Sequence, residues 1–195
     1  MLCIFLVLYF IVLLIARNPS EETSSAPLAF PRLERIKNFY GKAIIRFSVY
    51  SLLAGGMAAV LLLPTLSALH FTEFSDINFP SKMKTYFPVI DMVARHCFNV
   101  TVETGLDHWP NIYCGVLVFV LLPLYALQKK IPLREKAPKL FLLGFILISY
   151  STNTLNFIWH GLNYPDSLPA RQSFLYCLLL LTPVSYTHLR AHETE

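Results

Sequence analysis

Five apolar runs separated by four polar connectors constrain this chain more than any other feature. Residues 2–16, 47–69, 112–127, 140–159 and 173–184 contain no Asp, Glu, Lys or Arg. Runs of this kind suit helices in lipid, where each backbone N–H and C=O must be satisfied inside its own segment. The expected fold is therefore all-α, a polytopic transmembrane helix bundle with about five spans. Two of the five, 2–16 and 173–184, fall short of the roughly 20 residues that cross a bilayer and read as truncated spans. Composition agrees: 55% of the 195 residues are hydrophobic and 14% are charged, against about 25% charged in soluble domains.

The connectors alternate in charge. Arg17, Arg32, Arg35, Lys37, Lys42 and Arg46 fall in loop 16–46, and Lys129, Lys130, Arg134, Lys136 and Lys139 in loop 128–139. The other two connectors hold only Lys82, Lys84, Arg95 and Arg171 before the last eleven residues. By the positive-inside rule, loops 16–46 and 128–139 are cytoplasmic, and loops 70–111 and 160–172 are extracytoplasmic. The net charge of +4 is thus a topology signal and calls for no nucleic-acid partner. The expected location is a cell membrane, with the lipid bilayer as the first partner.

Residues 32–46 mix basic and apolar positions at near-helical spacing. Two forms fit: a helix lying along the inner leaflet, or a helical run-in to the next span. In the outer loop, Tyr86–Val102 interleaves apolar residues with Asp91, Arg95 and Asn99, which suits an interfacial helix with Asp91 and Arg95 paired at i, i+4. Glu73, Asp76, Glu103 and Asp107 are the loop's other carboxylates, and no pair among them has diagnostic spacing. His96, Cys97, His108 and Cys114 are metal-capable but match no zinc pattern. No metal site and no cofactor is expected. Cys3, Cys97, Cys114 and Cys177 form no disulfide framework.

The connector Trp159–Phe174 is the most informative polar segment. Gly161, Pro165 and Pro169 restrict its backbone, and Trp159 and Tyr164 suit interfacial anchoring. His160, Asn163, Asp166 and Arg171 are thereby displayed at the outer boundary, and His160, Asn163 and Arg171 are the candidate substrate-binding residues. Arg171 precedes a helix, so its guanidinium fork and the helix's first amides could hold a phosphate together. The competing role is an interfacial anchor, or one half of a salt bridge with Asp166.

Residues 185–195 resemble a translated sequencing-adapter tail, and the expected membrane domain is residues 1–184. His188, His192 and Glu193 imitate a metal-binding helix face within that tail.

Several segments together resemble the YfhO family of bacterial polytopic membrane proteins. They are Leu61–Thr65 (LLLPT), Pro110–Gly115 (PNIYCG), Asn156–Asn163 (NFIWHGLN) and Leu168–Phe174 (LPARQSF). That family is similar to the membrane glycosyltransferases of the GT-C fold. The resemblance implies transfer of a sugar from a polyprenyl-phosphate donor to a cell-envelope polymer acceptor, of lipoteichoic acid type, on the outer face of the bacterial cell membrane. It also implies that the catalytic carboxylate lies in a first outward loop, upstream of this sequence, so that the chain is an internal fragment, inactive alone, with no catalytic residue to name. A non-catalytic transporter or permease subunit is the alternative. Transport favours charged residues within spans, and these runs have none.

Overall fold

The computed structural model describes residues 1–17, 32–69, 71, 79–102, 109–162 and 170–192. It is helical throughout and has no β-strand among them; a single antiparallel bridge joins Thr85 to Thr152. The helices are α1 (Leu2–Ala16), α2 (Arg32–Leu69), a 3-10 segment (Val89–His96), α3 (Val116–Leu127), α4 (Leu133–Ser151), α5 (Asn153–Trp159) and α6 (Ser173–His192). They fall into two compact units: Arg17–Ile77, and Met1–Ala16 together with Asn78–Glu195.

The first unit is built on α2, a continuous helix of 38 residues, about 57 Å long at 1.5 Å per residue. Residues 32–46 are the run-in to the apolar stretch and not a separate in-plane helix. Pro64 lies inside the helix and cannot donate to the carbonyl four residues back. At the next residue, the Thr65 hydroxyl donates to the Leu61 carbonyl at 2.7 Å, adding a bond where the ladder is interrupted. Among the described helices, the stretch Ile36–Ala68 alone is long and apolar enough to cross a membrane; Leu2–Ala16, Val116–Leu127 and Ser173–Pro183 are apolar but shorter.

In the second unit α1 lies antiparallel to α4, and the Arg134 Nε donates to the Ile15 carbonyl at 2.8 Å. Phe5 and Val12, seven residues apart, are the buried positions of α1, a spacing that returns to the same helix face. Leu142, Leu143, Ile146 and Tyr150 of α4 share a core with Leu175, Tyr176, Leu179 and Leu180 of α6. α3 packs along α6. Lys136 is buried, and its ammonium donates to the Ala126 and Gln128 carbonyls at 2.8 and 2.7 Å. This cation closes the C-terminus of α3, where free carbonyls and the negative end of the helix dipole favour it. The ends of α1 and α3 and the start of α4 are thus tied by the basic residues Arg134 and Lys136.

Away from the core, large apolar side chains stand outward. Leu6, Val7 and Ile11 on α1, Leu117 and Leu124 on α3, Phe141 on α4, and Phe174 and Leu178 on α6 are all exposed. Apolar outer surface on every long helix of a bundle is poor in water and suits lipid contact.

Three expectations need correction. The apolar run 140–159 is not one helix: it breaks at Thr152, whose φ of −102° and ψ of 120° are extended. Residues Tyr86–Val102 do not form an amphipathic α-helix; only Val89–His96 is helical, in the tighter 3-10 form, with Pro88 before it and Cys97 after it in extended conformation. A 3-10 turn aligns i with i+3, not i+4, and Arg95 is directed instead to the Pro110 carbonyl and the Asn111 side chain. Finally, α6 stays helical through Pro183 to His192, past the end of the apolar run at Val184.

Candidate functional site

The polar groups of the second unit gather where α4 ends, α5 runs, and α6 begins. The break at Thr152 leaves backbone groups without helical partners, and residues 82–87 satisfy them. Tyr86 N donates to the Ser151 carbonyl at 2.8 Å, and Asn153 N donates to the Lys84 carbonyl at 3.0 Å. The Asn153 side chain completes the junction: its Oδ1 accepts from Lys84 N at 2.8 Å and its Nδ2 donates to the Lys82 carbonyl at 2.9 Å. The Ser151 hydroxyl donates to the Phe87 carbonyl. Phe87 in turn stacks on Trp109, with ring centroids 4.1 Å apart. Ser151 and Asn153, in the run that turns polar toward its end, are what hold residues 82–87 to the helix break.

α5 ends in a two-bond cap. Gly161 N donates to the Ile158 carbonyl at 3.1 Å and Leu162 N to the Phe157 carbonyl at 3.0 Å, the paired pattern of a helix closed by a left-handed residue. Gly161 has φ of +77°, which a glycine adopts without steric cost. His160 sits at the cap itself, and both its N–H and its Nδ1 donate to the Asn156 carbonyl, at 3.0 and 2.8 Å. The imidazole is therefore anchored on the turn that displays it.

On the far side of the connector, Ala170 is buried with φ of +60°. Its carbonyl accepts from both the backbone N–H and the hydroxyl of Ser173. The Gln172 carbonyl accepts from Leu175 N and Tyr176 N and so starts α6. Arg171 is exposed at this edge. Of the three candidate binding residues, the structure thus puts His160 at the end of α5 and Arg171 at the start of α6. Asn163 lies outside the described residues, as does Asp166.

Sequence reasoning missed Gln172. Its side chain is fully buried, and neither amide atom has a hydrogen-bond partner among the described residues; the Asn156 Oδ1 is buried in the same condition. An amide kept dry without a partner costs on the order of 1–3 kcal/mol, so groups of this kind are suited to meet a polar ligand or a bound water. The only signal was indirect, since both residues fall in the polar segments flanking Trp159–Arg171.

His96 also has a role its residue type did not reveal. It is buried, stacks on Phe119 at 4.3 Å, and bonds Met92 O through Nδ1 and the Tyr176 hydroxyl through Nε2, both at 3.0 Å. Burial pulls its pKa below the usual 6.5, against the raising effect of backbone hydrogen bonds at Met92 and Val93. The ring is a neutral packing element. Among the described residues, no group of three or more His, Cys, Asp or Glu side chains is placed to hold a metal.

An all-helical chain with apolar outer faces and one helix long enough to span a bilayer is a helical membrane protein. More particularly, the chain belongs to the YfhO family, described as bacterial membrane protein YfhO, whose family model matches residues 1–194. No curated protein and no solved structure matches it.

Proposed function

We propose that this chain is part of a membrane glycosyltransferase that takes a sugar from a polyprenyl-phosphate donor and passes it to a cell-envelope polymer, of lipoteichoic acid type, on the outer face. In this reading the chain contributes five spans, with loops 16–46 and 128–139 inside and loops 70–111 and 160–172 outside. His160, Asn163 and Arg171 bind the donor. The observation that carries the proposal is that the buried amides of Asn156 and Gln172, unpaired among the described residues, lie on the same two stretches of chain as His160 and Arg171. A lipid-borne substrate presents its phosphate and sugar at the outer boundary, while its polyprenyl chain meets the apolar helix faces. There, Arg171 would neutralise the departing phosphate, and the amides would hold hydroxyl groups.

The test is transfer from a polyprenyl-phosphate sugar, measured in membranes against an Arg171→Ala variant. Loss of a charged hydrogen bond to phosphate costs about 1.5–3 kcal/mol, roughly 10- to 150-fold in donor use. Arg171→Lys should recover only part of it, because an ammonium lacks the bidentate fork. Unchanged activity per folded molecule would leave Arg171 as an anchor.

One observation favours a second reading, a transporter. The extended residue Thr152 divides one apolar run into two helical stretches, and transporters use such broken helices at their binding sites. Substrate flux across proteoliposomes without sugar transfer would select that reading.

A further inference from the structure

An apolar groove runs between α1 and α4, within the second unit, and shares no residue with the His160–Arg171 connector. It has a volume of about 460 Å³, and every side chain that lines it is apolar. Leu8, Ile11 and Ile15 stand on one wall and Pro138, Phe141 and Phe145 on the other. We propose that it holds an acyl chain of an anionic glycerophospholipid whose phosphate lies against Arg134.

Helix spacing makes the groove end on a cation. Leu8, Ile11 and Ile15 recur at intervals of three and four residues, and so do Arg134, Pro138, Phe141 and Phe145. Arg134 therefore continues the lining face of α4 by one turn. Its Nε donates to the carbonyl of Ile15, the last lining residue of α1, at 2.8 Å. That bond fixes the guanidinium at the mouth of the groove, and a planar fork of N–H donors can serve a carbonyl and a phosphate together. Lys129 and Lys130 are exposed in the turn just before α4. The sole carboxylate of residues 128–139, Glu135, is paired with Lys139 at 3.0 Å. This end of the groove is strongly cationic.

The two parts of the site do different work. Lipid tails are as apolar as the groove, so the groove sets where a chain lies without choosing the lipid. Ile11, Ile15 and Phe141 are exposed and gain close contact from a chain seated there. The choice falls to the cations, which favour a head group of net negative charge over a zwitterionic one, as basic pockets between membrane helices do. Arg134 and Ser151, near the two ends of α4, are about 25 Å apart at 1.5 Å per residue. That approaches the roughly 30 Å of a bilayer's apolar core. A phosphate at Arg134 and one at the connector beyond Ser151 thus suit opposite leaflets, which separates this lipid from the proposed sugar donor.

This inference does not rest on sugar transfer, and its test uses no sugar. The chain is extracted in detergent and titrated with phosphatidylglycerol or with phosphatidylcholine of the same acyl chains, and bound lipid is counted by native mass spectrometry. Phosphatidylglycerol should bind about fivefold more tightly or better, since one basic residue near an anionic lipid is worth about 1 kcal/mol. Arg134→Gln should remove most of that preference, and Arg134→Lys should keep it. Ala137→Phe fills the groove from an exposed position and leaves the cations in place. It should weaken phosphatidylglycerol binding about tenfold, equivalent to about 1.4 kcal/mol of lost packing. Arg134 also ties α1 to α4, so helical circular dichroism is compared for each variant, and Ala137→Phe decides the matter if Arg134→Gln loses its helices. Equal binding of the two lipids would overturn the proposal, as would binding unaffected by Ala137→Phe. Release of phosphatidylglycerol by an equal amount of polyprenyl phosphate would overturn it in favour of the donor's tail. Lipid-free dimers that disappear in Ala137→Phe would overturn it in favour of a second copy of the chain.

Discussion

The imidazole of His96 and the phenol of Tyr176, 80 residues apart in sequence, meet at 3.0 Å inside the helix bundle. The Met92 carbonyl can only accept, so the Nδ1 beside it carries the proton. The neutral ring then accepts at Nε2 from the Tyr176 hydroxyl. This one bond joins the 3-10 segment Val89–His96 to α6.

It has a pH consequence. The folded-state pKa of His96 lies below its unfolded value near 6.5, so in the window between them the unfolded chain binds more protons, and stability rises with pH. The contribution is complete above about pH 6.5 and is lost as pH falls toward the folded pKa. Thermal unfolding in detergent should therefore show a lower midpoint at pH 5 than at pH 7.5, with a smaller difference in His96→Gln. An identical pH slope in the two proteins would contradict this. Tyr176→Phe should lower stability by about 1–3 kcal/mol at neutral pH, by leaving Nε2 without its donor.

Asn153→Ala should loosen the segment 82–87 without dissolving the helices. It removes the acceptor of Lys84 N and the donor to Lys82 O but keeps the backbone bond from Asn153 N to Lys84 O. Two lost bonds are worth about 1–3 kcal/mol, so hydrogen exchange at Lys84 should speed up by roughly ten- to a hundredfold. Equal exchange in wild type and variant would show that the bridge at Thr152 is held by other contacts.

Lys136→Met keeps the length of the side chain and removes both bonds to the end of α3. A loss of about 1.5–3 kcal/mol is expected, the range for hydrogen bonds to a charged group. Lys136→Arg should restore part of it. An unchanged unfolding midpoint in Lys136→Met would mean that water replaces the ammonium at these carbonyls.

Reporter fusions test the proposed topology. Alkaline phosphatase should be active when joined after Arg171 and inactive when joined after Lys130. The reverse pattern would invert the assignment of the loops.

The sequence by itself determined that the chain is helical and suited to lipid. Its uncharged runs allow only segments that satisfy their own backbone, and α1 occupies 2–16 because nothing in that run interrupts it. The family was legible too, from the polar motifs around Trp159 and Arg171. The tertiary structure decided where a run would be broken and what would fill the gap. Thr152 carries no Pro or Gly signal, and its extended backbone is stable because residues 82–87, some seventy positions away, supply hydrogen bonds there. The same holds for His96, whose partner Tyr176 is set by packing and not by spacing, and for Gln172, whose burial no local pattern announces. Periodicity and charge are local properties, and the sequence states them directly. The pairing of distant polar groups depends on which helix faces come together, and that is fixed only when the bundle has packed.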